Sequence, residues 1–202
     1  MVMRVTVVSA ARDRLLRSAS ATFYAEGIRG VGVDRIVTEA GVTRATFYRH
    51  FPSKDDLVVG YLQRIDEDVR QWCGPVPDDP DGARRLVREL TTGMTDQMCG
   101  DGFRGCPFIN AAAEYAAPEH PVHVAVVRHR SWLLDTVTAA LAVAGHPDPP
   151  EAGRRFMMLL DGAMVFSYLA DPAGARTTLL AAVEDLLAVA TTDASRPQPA
   201  AR

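Results

Sequence analysis

The sequence predicts an all-α protein of about nine helices, with a three-helix head followed by a longer helical body. Three observations predict it. Apolar residues recur at three- and four-residue spacing, no segment reads as a strand, and glycines and prolines cluster at points that divide the chain into helix-length pieces.

Ser9 is placed to cap a first helix on which Ala11, Leu15, Ala19 and Phe23 follow at four-residue spacing, and Gly27 to end it in a left-handed conformation. After Gly30 and Gly32, the residues Val33, Ile36, Val37 and Ala40 give the i, i+3, i+4, i+7 pattern of a short amphipathic helix that Gly41 stops. Thr43 is positioned to cap a third helix, Arg44 to His50, whose inward members Phe47 and Phe51 lie one turn apart before Pro52 closes it. Ser53 caps a fourth, with Asp55 and Asp56 in its first turn and an apolar stripe of Leu57, Val58, Tyr61, Leu62, Ile65, Val69 and Trp72.

The run GPVPDDPDG at 74–82 reads as a linker or turn, since three prolines and three aspartates sustain neither a helix nor a central strand. Helical periodicity then predicts elements near 82–99, 106–117, 121–145, 150–170 and 173–190. The sequence thus divides into an N-terminal domain at 1–54, a helical domain at 55–191 and a Pro-, Ala- and Ser-rich tail at 192–202 expected to be disordered.

Of 202 residues, 48% are hydrophobic, enough to bury a sizeable core, and the net charge is only −3. The charge is uneven, however: residues 1–54 hold nine basic against four acidic residues, a net +5, whereas 55–202 hold thirteen against twenty-one, a net −8. A basic head before an acidic body suits a phosphate-facing segment joined to a domain with another task. The string MVMRVTVV lacks a signal-peptide cleavage pattern and no apolar run reaches spanning length, so a cytoplasmic protein with no membrane partner is expected. Three cysteines, Cys73, Cys99 and Cys106, with no C-x-x-C pair argue against a disulfide framework or a structural zinc site.

The informative string is VDRIVTEAGVTRATFYRHFPSKDDL at 33–57. It joins two short helices through a tight Gly41-Val42 turn, and with Phe47 and Phe51 inward the second helix shows polar and flat side chains outside. Such a pair is the plan of a helix-turn-helix, in which the second helix enters the major groove of DNA. Thr43, Arg44, Thr46, Tyr48, Arg49 and His50 are the candidate contacts to bases and phosphates, and Lys54, the only lysine, is placed with the backbone N–H groups of the next helix to hold one phosphate.

The string resembles the head of the TetR family of bacterial repressors. Phe23 and Gly27 match its first helix, Ile36 its second, Ala40-Gly41-Val42-Thr43 its turn, Phe47-Tyr48-Arg49-His50-Phe51 its recognition helix, and Ser53-Lys54-Asp55 with Leu57 its exit. One position departs: Gly32 stands where the family has a Thr that caps the second helix and touches phosphate. Gly105-Cys106 with Asn110 and Glu114 also look like the start of the sixth helix in family bodies.

The resemblance implies a ligand-responsive transcriptional regulator, a repressor released from double-stranded operator DNA by a small-molecule effector. It also implies a homodimer formed through the last two helices, where Phe156, Leu159, Leu160, Ala163, Leu179, Leu180, Val183, Leu186 and Leu187 give apolar faces that serve either the dimer or the core. Each body would hold a ligand cavity. Met98, Cys106, Asn110, Glu114, Trp132, Met158 and Phe166 are the candidate ligand-binding residues, with core packing as the alternative. Cys106, followed by Pro107 at a first helical position, is placed where a helix dipole favours thiolate, as a sensor thiol or as an inert packed residue.

An enzyme is not expected. G-x-S-x-G, G-x-x-x-x-G-K-[ST] and H-E-x-x-H are absent, and GIRGVG at 27–32 lacks the strand-to-helix context of a dinucleotide fingerprint. His120, His123 and His129 do not share a face, so no metal and no cofactor is expected. The contrasting non-enzyme class is an interaction module whose helix-turn-helix no longer binds DNA.

Overall fold

A computed structural model describes residues 9–192. Among them are nine helices and no strand: α1 Ala10–Glu26, α2 Val33–Glu39, α3 Arg44–His50, α4 Lys54–Cys73, α5 Pro80–Met98, α6 Pro107–Glu114, α7 Pro121–Val143, α8 Pro149–Leu169 and α9 Pro172–Thr192. The tail expected at 192–202 lies outside the described residues apart from Thr192, the last residue of α9.

In the head, Leu15, Ala19 and Phe23 of α1, Ile36 and Val37 of α2 and Phe47 of α3 are buried, as the periodicity predicts. Ser9 occupies the N-cap of α1 but makes no side-chain cap; its hydroxyl lies 3.3 Å from His50 Nε2 instead. Gly27 ends α1 at φ 86°, ψ 155°. Its φ is positive but its ψ is extended, a region open essentially to glycine alone, so the turn is not the left-handed cap expected. Gly32 heads α2 and has no side chain with which to cap it.

The α2–α3 turn is a Schellman motif: Gly41, at φ 61°, donates its N–H to the Thr38 carbonyl, and Val42 donates to that of Val37. Thr43 then caps α3, its Oγ1 accepting from Thr46 N at 3.1 Å. Ser53 Oγ accepts from Asp56 N at 3.1 Å and caps α4.

The stripe expected on α4 holds through Leu62 and then shifts. Ile65 and Val69 are half-buried, Asp66 is buried, and Trp72 is exposed. Trp72 still has a packing role, because its indole covers Gly93 of α5 so closely that a Cβ there would lie 2.5 Å from the ring. The linker at 74–82 is shorter than expected, since α5 starts within it at Pro80. Proline fits a first turn, whose N–H groups lack helical partners anyway, and Asp79 Oδ1 accepts from Gly82 N at 2.7 Å.

Among the described residues two compact units result: 9–68 with 107–127, and 69–106 with 128–192. The first therefore includes 55–68 and 107–127 besides the helix-turn-helix. Its aromatic packing includes a T-shaped Phe23–Tyr61 pair with centroids 5.9 Å apart. In the second, Val87 and Leu90 of α5, Val137 and Leu141 of α7, Phe156 and Leu160 of α8, and Leu179, Val183 and Leu187 of α9 form one core. Phe156, Leu160, Leu179, Val183 and Leu187 are thus core residues, which leaves other positions of α8 and α9 to form their outer face.

Candidate nucleic-acid interface

α3 is held by its apolar side. Phe47 is 0% exposed, meeting Phe51 at 6.1 Å and Tyr48 edge-on at 5.1 Å between centroids. Burial of the alternate face turns Arg44, Ala45, Tyr48 and Arg49 outward, and Tyr48 is 52% exposed. Thr43 Oγ1, besides capping, donates to Thr46 Oγ1 at 3.0 Å, which leaves the Thr46 hydroxyl proton available. His50 is half-buried with Nε2 beside Ser9, so it faces the head more than Tyr48 does.

Lys54 opens α4 with Nζ 5.9 Å from the centroid of the Phe23 ring. Burial pushes its ammonium below the ordinary lysine range, against the opposing pull of Glu114 and Asp55. A cation already partly stripped of water, at the start of a 20-residue helix, is suited to an anionic oxygen.

Arg44 is not loose. Its Nε and Nη2 donate to Oδ1 and Oδ2 of Asp34 on the first turn of α2. Hydrogen bonding to this guanidinium holds the Asp34 carboxyl below the usual carboxylate range. Arg35, by contrast, turns to Glu39 and to Glu26 of α1, and so ties the head together. Asp34 and Ala45 are not among the sequence candidates but lie beside them, Asp34 paired with Arg44 and Ala45 exposed on α3.

The seven candidate ligand residues are divided between the two units. Asn110 and Glu114 belong to the first unit, the other five to the second. Glu114 accepts the backbone N–H groups of Ile28 at 2.8 Å and Arg29 at 2.6 Å, a structural clamp on the α1–α2 loop. Met98 is buried in the second unit's core, and Trp132 packs against that core with Arg70 stacked 4.3 Å from its ring centroid. Cys106 is half-buried beside the head of α6, and all three cysteines are free thiols. Met158 and Phe166, 75% and 52% exposed, line a groove of about 330 Å³ between α8 and α9.

His120 Nδ1 accepts from Val122 N at 3.2 Å while its Nε2 lies 3.3 Å from Asp55 Oδ2, His123 Nδ1 is hydrogen-bonded to the Tyr115 carbonyl, and His129 is buried beside Trp132. Among the described residues no group of three or more His, Cys, Asp or Glu is arranged to hold a metal ion, and no helix is long and apolar enough to cross a membrane.

Residues 15–60 match the model of the bacterial regulatory proteins of the tetR family. A TetR-family transcriptional regulator from Streptomyces coelicolor has a structure similar to this one, with TM-score 0.82 and 48% identity, covering 91% of this chain and 97% of that one. A putative TetR-type regulator from Streptomyces avermitilis superposes with TM-score 0.71 and 25% identity over 86% of this chain and 98% of that one. The HTH-type transcriptional regulator LmrA of Bacillus subtilis is 28% identical over 119 residues, 56% of this chain, and the match spans 62% of that relative's length.

A tri-helical head with a Schellman turn and an outward polar helix, in this company, defines a DNA-binding transcriptional regulator rather than an enzyme. The chain belongs to the TetR family.

Proposed function

We propose that this regulator is a ligand-responsive repressor, a cytoplasmic homodimer that leaves its operator when a small molecule binds. The observation that carries the DNA-binding part is α3, with Phe47 sealed inside and Tyr48 outside one residue later. Thr43, Arg44, Thr46, Tyr48, Arg49, His50 and Lys54 make the contacts: the α3 side chains reach base edges and phosphates, and Lys54 neutralises one phosphate.

Two heads related by a dimer axis fit successive major grooves when they are spaced by about one helical turn, roughly 34–36 Å, or a multiple of it. The twofold partner is a second copy of this chain, docked on the outer face of α8 and α9. Support for that reading comes from Met158, Val165, Phe166 and Leu169, which are large, apolar and half or more exposed along one helix. An effector held in the body shifts the spacing of the heads by binding one state more tightly than the other, through α4, which runs out of the head.

The experiment is a gel shift on DNA fragments selected from the genome with the purified protein. Replacing Tyr48 and Lys54 by alanine abolishes the shift and leaves the dimer intact. Undiminished binding by the double variant overturns the reading.

A further inference from the structure

The geometry points to Arg44 as the reader of a guanine in the operator's major groove and to Asp34 as the positioning residue that aims it. This rests on the operator-binding reading above and adds which base is read and how.

Arg44 is the first residue of α3, and recognition helices reach base edges with their N-terminal residues. A guanidinium has five N–H donors in a rigid plane. Asp34 engages it from the side, taking Nε–H and one N–H of Nη2. Three N–H groups remain: the second of Nη2 and one of Nη1 point outward in parallel and form the outer fork of the plane, and the other of Nη1 points back toward Cδ.

That fork is a pair of parallel donors, so it requires a pair of acceptors. On the major-groove edge only guanine supplies one, through O6 and N7. Adenine puts an amino donor beside N7, thymine offers one carbonyl, and cytosine offers a donor. A donor fork aimed outward therefore selects guanine.

The pair has little to do for the fold. Both side chains are about two-thirds exposed, 65% for Arg44 and 68% for Asp34, and exposed ion pairs contribute little to stability. An acidic group this close to a DNA-facing helix also repels phosphate. Fixing the rotamer of a long side chain before binding is what it offers in return, since ordering such a side chain at an interface weakens association.

The test uses the full chain and an operator selected from the genome. Affinities are measured for operator and for unrelated DNA, and 7-deazaguanine, which lacks the N7 acceptor but pairs normally, replaces each operator guanine in turn. We expect wild-type protein to lose affinity at one guanine per half-site. Arg44→Ala should lower the preference for operator over unrelated DNA by about 5- to 150-fold and become indifferent to that same replacement. Asp34→Ala should lower the preference by about 2- to 10-fold while binding unrelated DNA as well as or better than wild type. Thermal melts that match wild type show that both variants fold.

Operator preference undiminished in Asp34→Ala, or an Arg44→Ala protein that still senses every modified guanine as wild type does, overturns the inference and leaves the repressor reading standing. A wild-type protein that selects no DNA overturns both.

Discussion

Glu114, the last residue of α6, holds Arg29 by its backbone: Oε2 accepts the Arg29 N–H at 2.6 Å, while Oε1 accepts that of Ile28 at 2.8 Å. Ile28 is 3% exposed, so removing the carboxylate strands a donor beside the core. Glu114→Ala is expected to destabilise the protein by about 1–3 kcal/mol. For a chain of this size that lowers Tm by about 2–4 °C per kcal/mol, readable by calorimetry. Glu114→Gln, which keeps one acceptor oxygen, should retain part of the loss, and an unchanged Tm for both variants would mean the clamp carries no load.

Tyr115 donates to Asp55 Oδ1 at 2.9 Å and stacks on His120 with centroids 4.6 Å apart. Burial, reinforced by Asp55, pushes its phenol well above the ordinary tyrosine range. The folded state therefore holds this proton more tightly than the unfolded chain, so the contribution is present below about pH 10 and lost as pH rises further. Tyr115→Phe should cost about 0.5–1.5 kcal/mol at neutral pH. Its stability should also fall less steeply than wild type in urea titrations between about pH 9 and 11; parallel curves would contradict the assignment.

Gly153 of α8 sits against α7, where a Cβ would lie 2.2 Å from Thr138 Oγ1 and 3.3 Å from Leu134 Cδ1. Gly153→Ala is expected to destabilise by about 1–3 kcal/mol through overpacking. Because the worst clash is with one hydroxyl, adding Thr138→Ala should recover most of it, and a double-mutant cycle in denaturant measures the coupling.

Met158 and Phe166 are expected to lie in the dimer contact. Glutamate at both positions should leave helicity and Tm near wild type, since neither side chain is buried in the protomer, while sedimentation shows a monomer. A dimer that survives both charges would move the interface elsewhere.

Much of the head was legible in the sequence because local rules decide it. Gly41 and Thr43 each serve the turn and the cap expected of them, and Phe47 and Phe51 are buried as their spacing requires. Period alone, however, tells inside from outside and does not name a partner. Ser9 looked like a cap, but its hydroxyl lies 41 residues away in sequence, beside His50. Trp72 reads as the end of an apolar stripe, yet it is 52% exposed, with one part of its indole lying over Gly93. The clamp that Glu114 places on a loop 86 residues earlier has no local signature. The exposed α8 positions Met158 and Phe166 were legible as apolar but not as outward-facing, since α8 is apolar on more than one side.

Methylation protection of guanine N7 on the selected operator tests the docking of α3 most directly. Wild-type protein should protect guanines in two major-groove patches whose centres lie about 10 base pairs, or a multiple of that, apart, with no protection by the Tyr48→Ala, Lys54→Ala protein. A fragment bound tightly with no guanine shielded in the major groove, or shielded equally by that variant, would contradict it.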